Sequence, residues 1–146
     1  MAVPHSEIVL TIAPDDYHIQ TVGKSGDGFQ LFITTCLHYD KAASSTTDYD
    51  VAFKWDRNGN FVNADIVSLG KRGDPKSSEL KVKASSLSAK YQDIKKGSIS
   101  VRPCSVRHDG LIFGLIPRTD DGETFVELMP GNSICFLEPF EGDYDT

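Results

Sequence analysis

The chain has 146 residues, the usual size of one domain, with 39% apolar and 25% charged residues, a mixture that argues against disorder and suffices for a core of its own. No apolar run approaches the roughly 20 residues of a membrane span, and the first residues lack the basic start of a secretion signal. The expected setting is the reducing cytoplasm, where Cys36, Cys104 and Cys135, odd in number, far apart and flanked by apolar or β-branched neighbours, would persist as buried free thiols.

Charge is distributed unevenly. Residues 1–75 hold 6 Lys/Arg against 10 Asp/Glu, residues 76–110 hold 8 against 3, and residues 111–146 hold 1 against 8, so the segments carry −4, +5 and −7. An acidic surface repels phosphate backbones and anionic lipid and steers a basic partner toward it. The plainer expectation is that the basic middle and the acidic end neutralise each other within the fold.

In chain order, Ile8–Ile12 and Tyr17–Val22 are short β-branched runs separated by Ala13-Pro14-Asp15-Asp16 and followed by the glycine loop 23–28. Phe29–Tyr39 has the period of a long strand, with Phe29, Leu31, Ile33, Thr35, Leu37 and Tyr39 expected on its drier face. Residues 40–50 are polar and are expected to form an exposed loop. Val51–Trp55 and Phe61–Val67 flank Asp56-Arg57-Asn58-Gly59-Asn60, a hairpin signal.

Leu80–Lys83 reads as a short edge strand guarded by lysines. Leu87, Tyr91 and Ile94 recur at helical spacing, with Ser85 or Ser86 as cap and Gly97 as stop, which places one helix at 86–96. The last third reads as a meander: Ile99–Val106, Leu111–Ile116, Glu123–Met129 and Ser133–Leu137, joined by turns at 107–110, 119–122 and 130–132. The acidic tail 138–146 is expected to be partly frayed. The fold expected is mainly β, bordering on α+β: one domain whose antiparallel sheet of about eight to ten strands forms a sandwich or open barrel with one short helix.

Several motifs fail on spacing. Gly23-Lys24-Ser25 resembles the end of a phosphate loop, but His18 stands where that loop needs glycine. Asp56, Asn58 and Asn60 alternate like a calcium loop, yet Phe61 and Val67 stand where it needs glycine and glutamate. Arg72-Gly73-Asp74 is too short to carry meaning. Cys36-x-His38 and Cys104-x-x-x-His108 lack the short knuckle of structural zinc sites, and neither these pairs nor Ser105 with His108 and Asp109 form a specific catalytic signature. The carboxylate pairs lie in turns and the tail, where they are solvated. No catalytic residue, metal or cofactor is expected.

Two functions compete. The first is a non-catalytic domain that binds a basic protein, as an inhibitor or an immunity-like neutraliser does, with Asp120, Asp121, Glu123 and Glu127 as contacts and Phe125, Leu128, Met129, Phe136 and Phe140 as an apolar anchor. The alternative is a small ligand-binding barrel or enzyme that uses Cys36, His38 and His108 in an interior pocket. Nucleic acid is not an expected partner, because the cations between Lys76 and Arg107 lie within an acidic protein and lack an aromatic stacking motif. Membrane is not expected either.

Overall fold

The longest alternating run becomes one of three 11-residue strands that dominate the molecule. The computed structural model describes residues 4–15, 17–19, 21–74, 87 and 89–146. Within these, the strands in chain order are β1 (Leu10–Ile12), β2 (Thr21–Lys24), β3 (Gln30–Asp40), β4 (Ser45–Trp55), β5 (Phe61–Lys71) and β6 (Lys95–Lys96). There follow β7 (Ile99–Val101), β8 (Cys104–His108), β9 (Leu111–Asp120), β10 (Glu123–Met129), β11 (Cys135–Leu137) and β12 (Tyr144–Asp145).

Every pairing is antiparallel. One sheet runs β5-β4-β3-β2-β6, a second runs β12-β11-β10-β9-β8, and β1 pairs with β7 apart from both. The arrangement is a sandwich-like, mainly β fold rather than a closed barrel. One apolar cluster draws on all three sheets: Phe32, Phe53 and Trp55 from the first, Phe113, Leu115, Val126 and Phe136 from the second, and Leu10 and Val101 from the small one. Trp55 is fully buried and satisfies its indole by donating Nε1–H to the Arg102 carbonyl at 2.9 Å.

The hairpin at 56–60 forms as its sequence predicts. The Asp56 carboxylate accepts from the Asn58 and Asn60 amides, each at 2.9 Å, and Gly59 supplies the positive φ of 83°. Two further hairpins close with two-residue turns whose residues all have positive φ: Asp109-Gly110 between β8 and β9, and Asp121-Gly122 between β9 and β10.

Five expectations are corrected. Residues 40–50 are not a long loop: β4 begins at Ser45 and pairs with β3 as far as Asp40, so the connection shrinks to residues 41–44. Threonine is a good strand former, and the ladder overrides the polar composition. Tyr17 to Ile19 is not strand, because the Asp15 carboxylate accepts from the amides of Tyr17, His18 and Ile19 at 2.9 to 3.1 Å and folds the segment into a turn. In β3 both faces are buried at the start, Leu31 on the face expected to be drier and Phe32 on the other, and further along it is Cys36 that enters the core while Thr35 and Tyr39 are exposed.

The tail is tied down. Phe140 is buried and its carbonyl accepts from the Thr11 amide at 2.9 Å, while β12 pairs with β11. The helix is also shorter than 86–96. A helical turn closes from the Tyr91 amide to the Leu87 carbonyl at 3.1 Å, but Lys95 and Lys96 leave it to pair with Gly23 and Lys24. Gly23 makes that docking possible, since a Cβ there would stand 2.1 Å from the Lys95 carbonyl oxygen. The expected caps Ser85 and Ser86, and the strand at Leu80–Lys83, lie outside the described residues.

Candidate functional site

Strand alternation divides sheet β8–β12 into two faces. Phe113, Leu115, Val126, Leu128 and Phe136 point into the core, so Ile112, Ile116, Arg118 and Asp120 of β9 and Glu123, Phe125, Glu127 and Met129 of β10 share the outer face. Register joins them across the strands: Asp120 lies opposite Glu123, Arg118 opposite Phe125, and Phe125 opposite Leu137 of β11. The outer face is thus anionic at the β9–β10 tip and apolar behind it. Ile112 and Leu137 remain 45% and 40% exposed, and the Arg118 guanidinium lies 5.9 Å from the centre of the Phe125 ring.

Three of the four acidic contacts expected from sequence meet at the tip. Asp120, Asp121 and Glu123 are exposed, and among the described residues none of them forms an ion pair. Glu127 stands apart. It is only 6% exposed, and both its oxygens accept from Arg118 Nη1 at 3.2 Å, so it is a structural acceptor rather than a free contact. Its burial comes from cross-strand neighbours, Ile116 on one side and Cys135 on the other, which sequence alternation cannot reveal. The expected apolar anchor also divides: Leu128, Phe136 and Phe140 belong to the core, while Phe125 and Met129 stay on the outer face.

The expected neutralisation of the acidic end by the basic middle is not seen in the ion pairs of the described residues, outside which Lys76, Lys81 and Lys83 lie. Among the described residues, no carboxylate of residues 111–146 pairs with a cation of residues 76–110. Lys90 of the basic segment reaches Asp65 at 2.8 Å, and the one cation of the last segment, Arg118, serves Glu127. The three tip carboxylates are exposed and pair with no cation of the described residues.

Of the alternative trio, Cys36 and His38 stand on β3 and His108 ends β8. Cys36 is buried, its Sγ is 3.8 Å from the Met129 carbonyl oxygen, and desolvation pushes the thiol up to about 12. Desolvation pushes Cys104 up to about 12 too, and burial raises Cys135, so the thiols stay protonated and poorly nucleophilic near neutral pH. Tyr49, opposite Cys36 in the ladder, packs edge to face on Phe113 at 5.0 Å, and Phe113 packs on His108 at 5.9 Å. Aromatic rings thus occupy the space between Cys36 and His108. His38 sits half-buried toward the end of β3, and His108 lies 3.5 Å from Asp109 in the turn. All three cysteines are free, and the described residues contain no group of three or more His, Cys, Asp or Glu placed to hold a metal.

Comparison of the chain with protein-family models, curated proteins and solved structures gives no match.

The outer face of sheet β8–β12 is therefore the candidate site. Arg118 is the residue that sequence reading missed there. Its signal was its solitude, as the one Lys or Arg among residues 111–146 and two residues from Asp120, an expected contact.

Proposed function

We propose that this chain is a protein-binding domain that docks a basic partner through the outer face of sheet β8–β12. Asp120, Asp121 and Glu123 supply the electrostatic lead, and Phe125, Leu137 and Ile112 supply the apolar contact. The observation that carries this reading is that these three carboxylates gather at one exposed tip with no cation of the described residues paired to them, on the face that carries Phe125 and the exposed Leu137 nearby and the exposed Ile112 at the far end of β9. Asp120 and Glu123 stand directly opposite each other across the ladder, and like charges so placed weaken a sheet. A tip optimised for stability alone would carry opposite charges there. The arrangement suits an anionic rim meeting a cationic surface, which raises the rate of encounter and excludes acidic competitors.

In this role the domain covers a partner's basic surface, as an inhibitor or an immunity-like neutraliser does, without covalent chemistry of its own. The free thiols suit a reducing cytoplasm.

The test is capture from lysate of the source cell at low and high salt, with wild-type protein and the triple variant Asp120→Lys/Asp121→Lys/Glu123→Lys side by side. A basic protein held at low salt by the wild type, released by salt and not held by the variant, supports the reading once the purified pair reproduces it. Equal retention by the variant would overturn it.

A further inference from the structure

We infer that the groove beside β3, on the opposite sheet from the acidic tip, is a binding site for an arginine or lysine side chain carried on an extended peptide. The groove has a volume of about 420 Å³ and is lined by Tyr17, His18, Thr21, Thr35, Asp50 and Ser133 among others. It lies where β2 stops short. β3 runs from Gln30 to Asp40, but β2 covers only Gln30 to Ile33, so the β3 edge continues past the end of its partner.

The direction of the exposed backbone follows from the ladder. The Val22 carbonyl accepts from the Gly97 amide, so Val22 faces β6 and its neighbours Thr21 and Gly23 face β3. Thr21 and Gly23 lie opposite Ile33 and Leu31, so the odd-numbered residues of β3 turn their N–H and C=O toward the β2 side. Thr35 is the next odd residue, and among the described residues no strand pairs with it on that side. One position further, the edge is closed. Gly131 sits against Leu37 so tightly that a Cβ would stand 2.7 Å from the Leu37 carbonyl oxygen. What remains is a single residue's donor and acceptor, aimed into a groove, which matches one peptide unit of an extended chain.

Charge supplies the second requirement. Asp48, Asp50 and Asp65 lie on the face of the β3–β5 ladder that includes the Thr35 side chain. Asp48 holds Arg72 with two bonds at 2.9 Å, and Asp65 holds Lys90 at 2.8 Å and accepts from the Tyr91 hydroxyl. Among the described residues, Asp50 accepts only from the Thr35 hydroxyl, at 2.9 Å, and none of their cations pairs with it. It is half-buried and lines the groove, so a guanidinium or ammonium entering there would gain the charge-assisted bond that the other two aspartates already have. Lys54, the cation on the same strand, is turned over the Phe29 ring at 4.0 Å. The site stands independently of the tip: either surface can bind without the other.

The test is a ¹⁵N NMR titration with the capped peptide acetyl-Gly-Arg-Gly-Arg-Gly-amide, its citrulline counterpart, and methylguanidinium alone. The expected result is saturable shifts at Thr35, Thr21 and Ser133, about tenfold weaker with citrulline, and comparably weaker for Asp50→Asn. Methylguanidinium should bind far more weakly than the peptide, because it cannot use the Thr35 backbone. The inference is overturned if citrulline binds equally, if methylguanidinium matches the peptide, or if shifts are confined to residues 120–123. That last result would leave the tip reading standing. The ligand comparisons use the unaltered protein and hold even if Asp50→Asn folds poorly.

Discussion

Gln30 should be among the most costly polar residues to replace, because its side chain serves the edge of β7 that faces away from β1. Its side chain is 3% exposed; Nε2 donates to the carbonyls of Asp56 and Ser100 at 2.9 and 3.0 Å, and Oε1 accepts from the Ser100 amide at 2.8 Å. The Thr11 amide is spent on Phe140, so in the β1–β7 pair Ser100 turns its own N–H and C=O away from Thr11 and toward Gln30. Gln30→Met keeps the volume and removes all three bonds. Asp56 retains the Gly59 amide as a donor, so two backbone groups of Ser100 are orphaned. At about 1–3 kcal/mol for each unsatisfied group, with water able to reach the exposed Ser100 side, the loss should be about 3 kcal/mol. Urea denaturation reads this as a lowered midpoint with an unchanged slope, and the melting temperature should fall by about 10 °C. Gln30→Glu retains an acceptor but sets a carboxylate against two carbonyls, and should cost at least as much. A loss under about 1 kcal/mol for Gln30→Met would refute the reasoning, since it would mean that Ser100 finds other partners without effort.

Three further predictions concern charged groups. Asp15 is held down to about 2, first by the Tyr144 hydroxyl and then by the Ile19 and Tyr17 amides. A depressed acid stabilises the fold above its unfolded pKa and loses that contribution on protonation, so stability should fall as pH drops from about 4 to 2, and Asp15→Asn should flatten that part of a denaturation-midpoint profile. Arg118→Met should cost about 1 kcal/mol by leaving buried Glu127 without its cation, a modest figure because Arg118 is largely exposed, and Arg118→Met/Glu127→Met should recover most of it in a double-mutant cycle. Glu123→Gln should stabilise the protein by a few tenths of a kcal/mol, more at low salt, by relieving its opposition to Asp120, while weakening capture of a basic partner; a loss of stability would show that the tip carboxylates serve the fold.

What sequence made legible was local. The turn chemistry of Asp56 to Asn60 and of Asp121-Gly122 is written in two or three residues, and both hairpins form where those residues stand. What it hid was decided by distant partners. Lys95 and Lys96 have helical neighbours in sequence, yet they form a strand because Gly23 lets another backbone approach. Phe140 looked like part of a loose acidic tail, and its burial depends on Thr11 at the other end of the chain. Glu127 was indistinguishable from Glu123 by alternation, and only the cross-strand neighbours separate a buried acceptor from an exposed charge. The groove at Thr35 was invisible for a related reason: it exists because two strands of unequal length lie side by side.

The same contrast bears on function. An acidic chain need not present an acidic site, since carboxylates can be spent internally, as Asp48 and Asp65 are on Arg72 and Lys90. What distinguishes Asp50 and the Asp120–Glu123 pair is that the fold places them beside accessible surface and that no cation of the described residues pairs with them. On the two proposals, both surfaces would take the same chemistry in a partner, a positive side chain, but with different geometry: a broad cationic patch for the tip and one side chain on an extended backbone for the groove. Salt should separate them. The tip acts across solvent and weakens steeply as ions screen it, whereas a guanidinium seated in the groove with backbone bonds to Thr35 keeps more of its affinity.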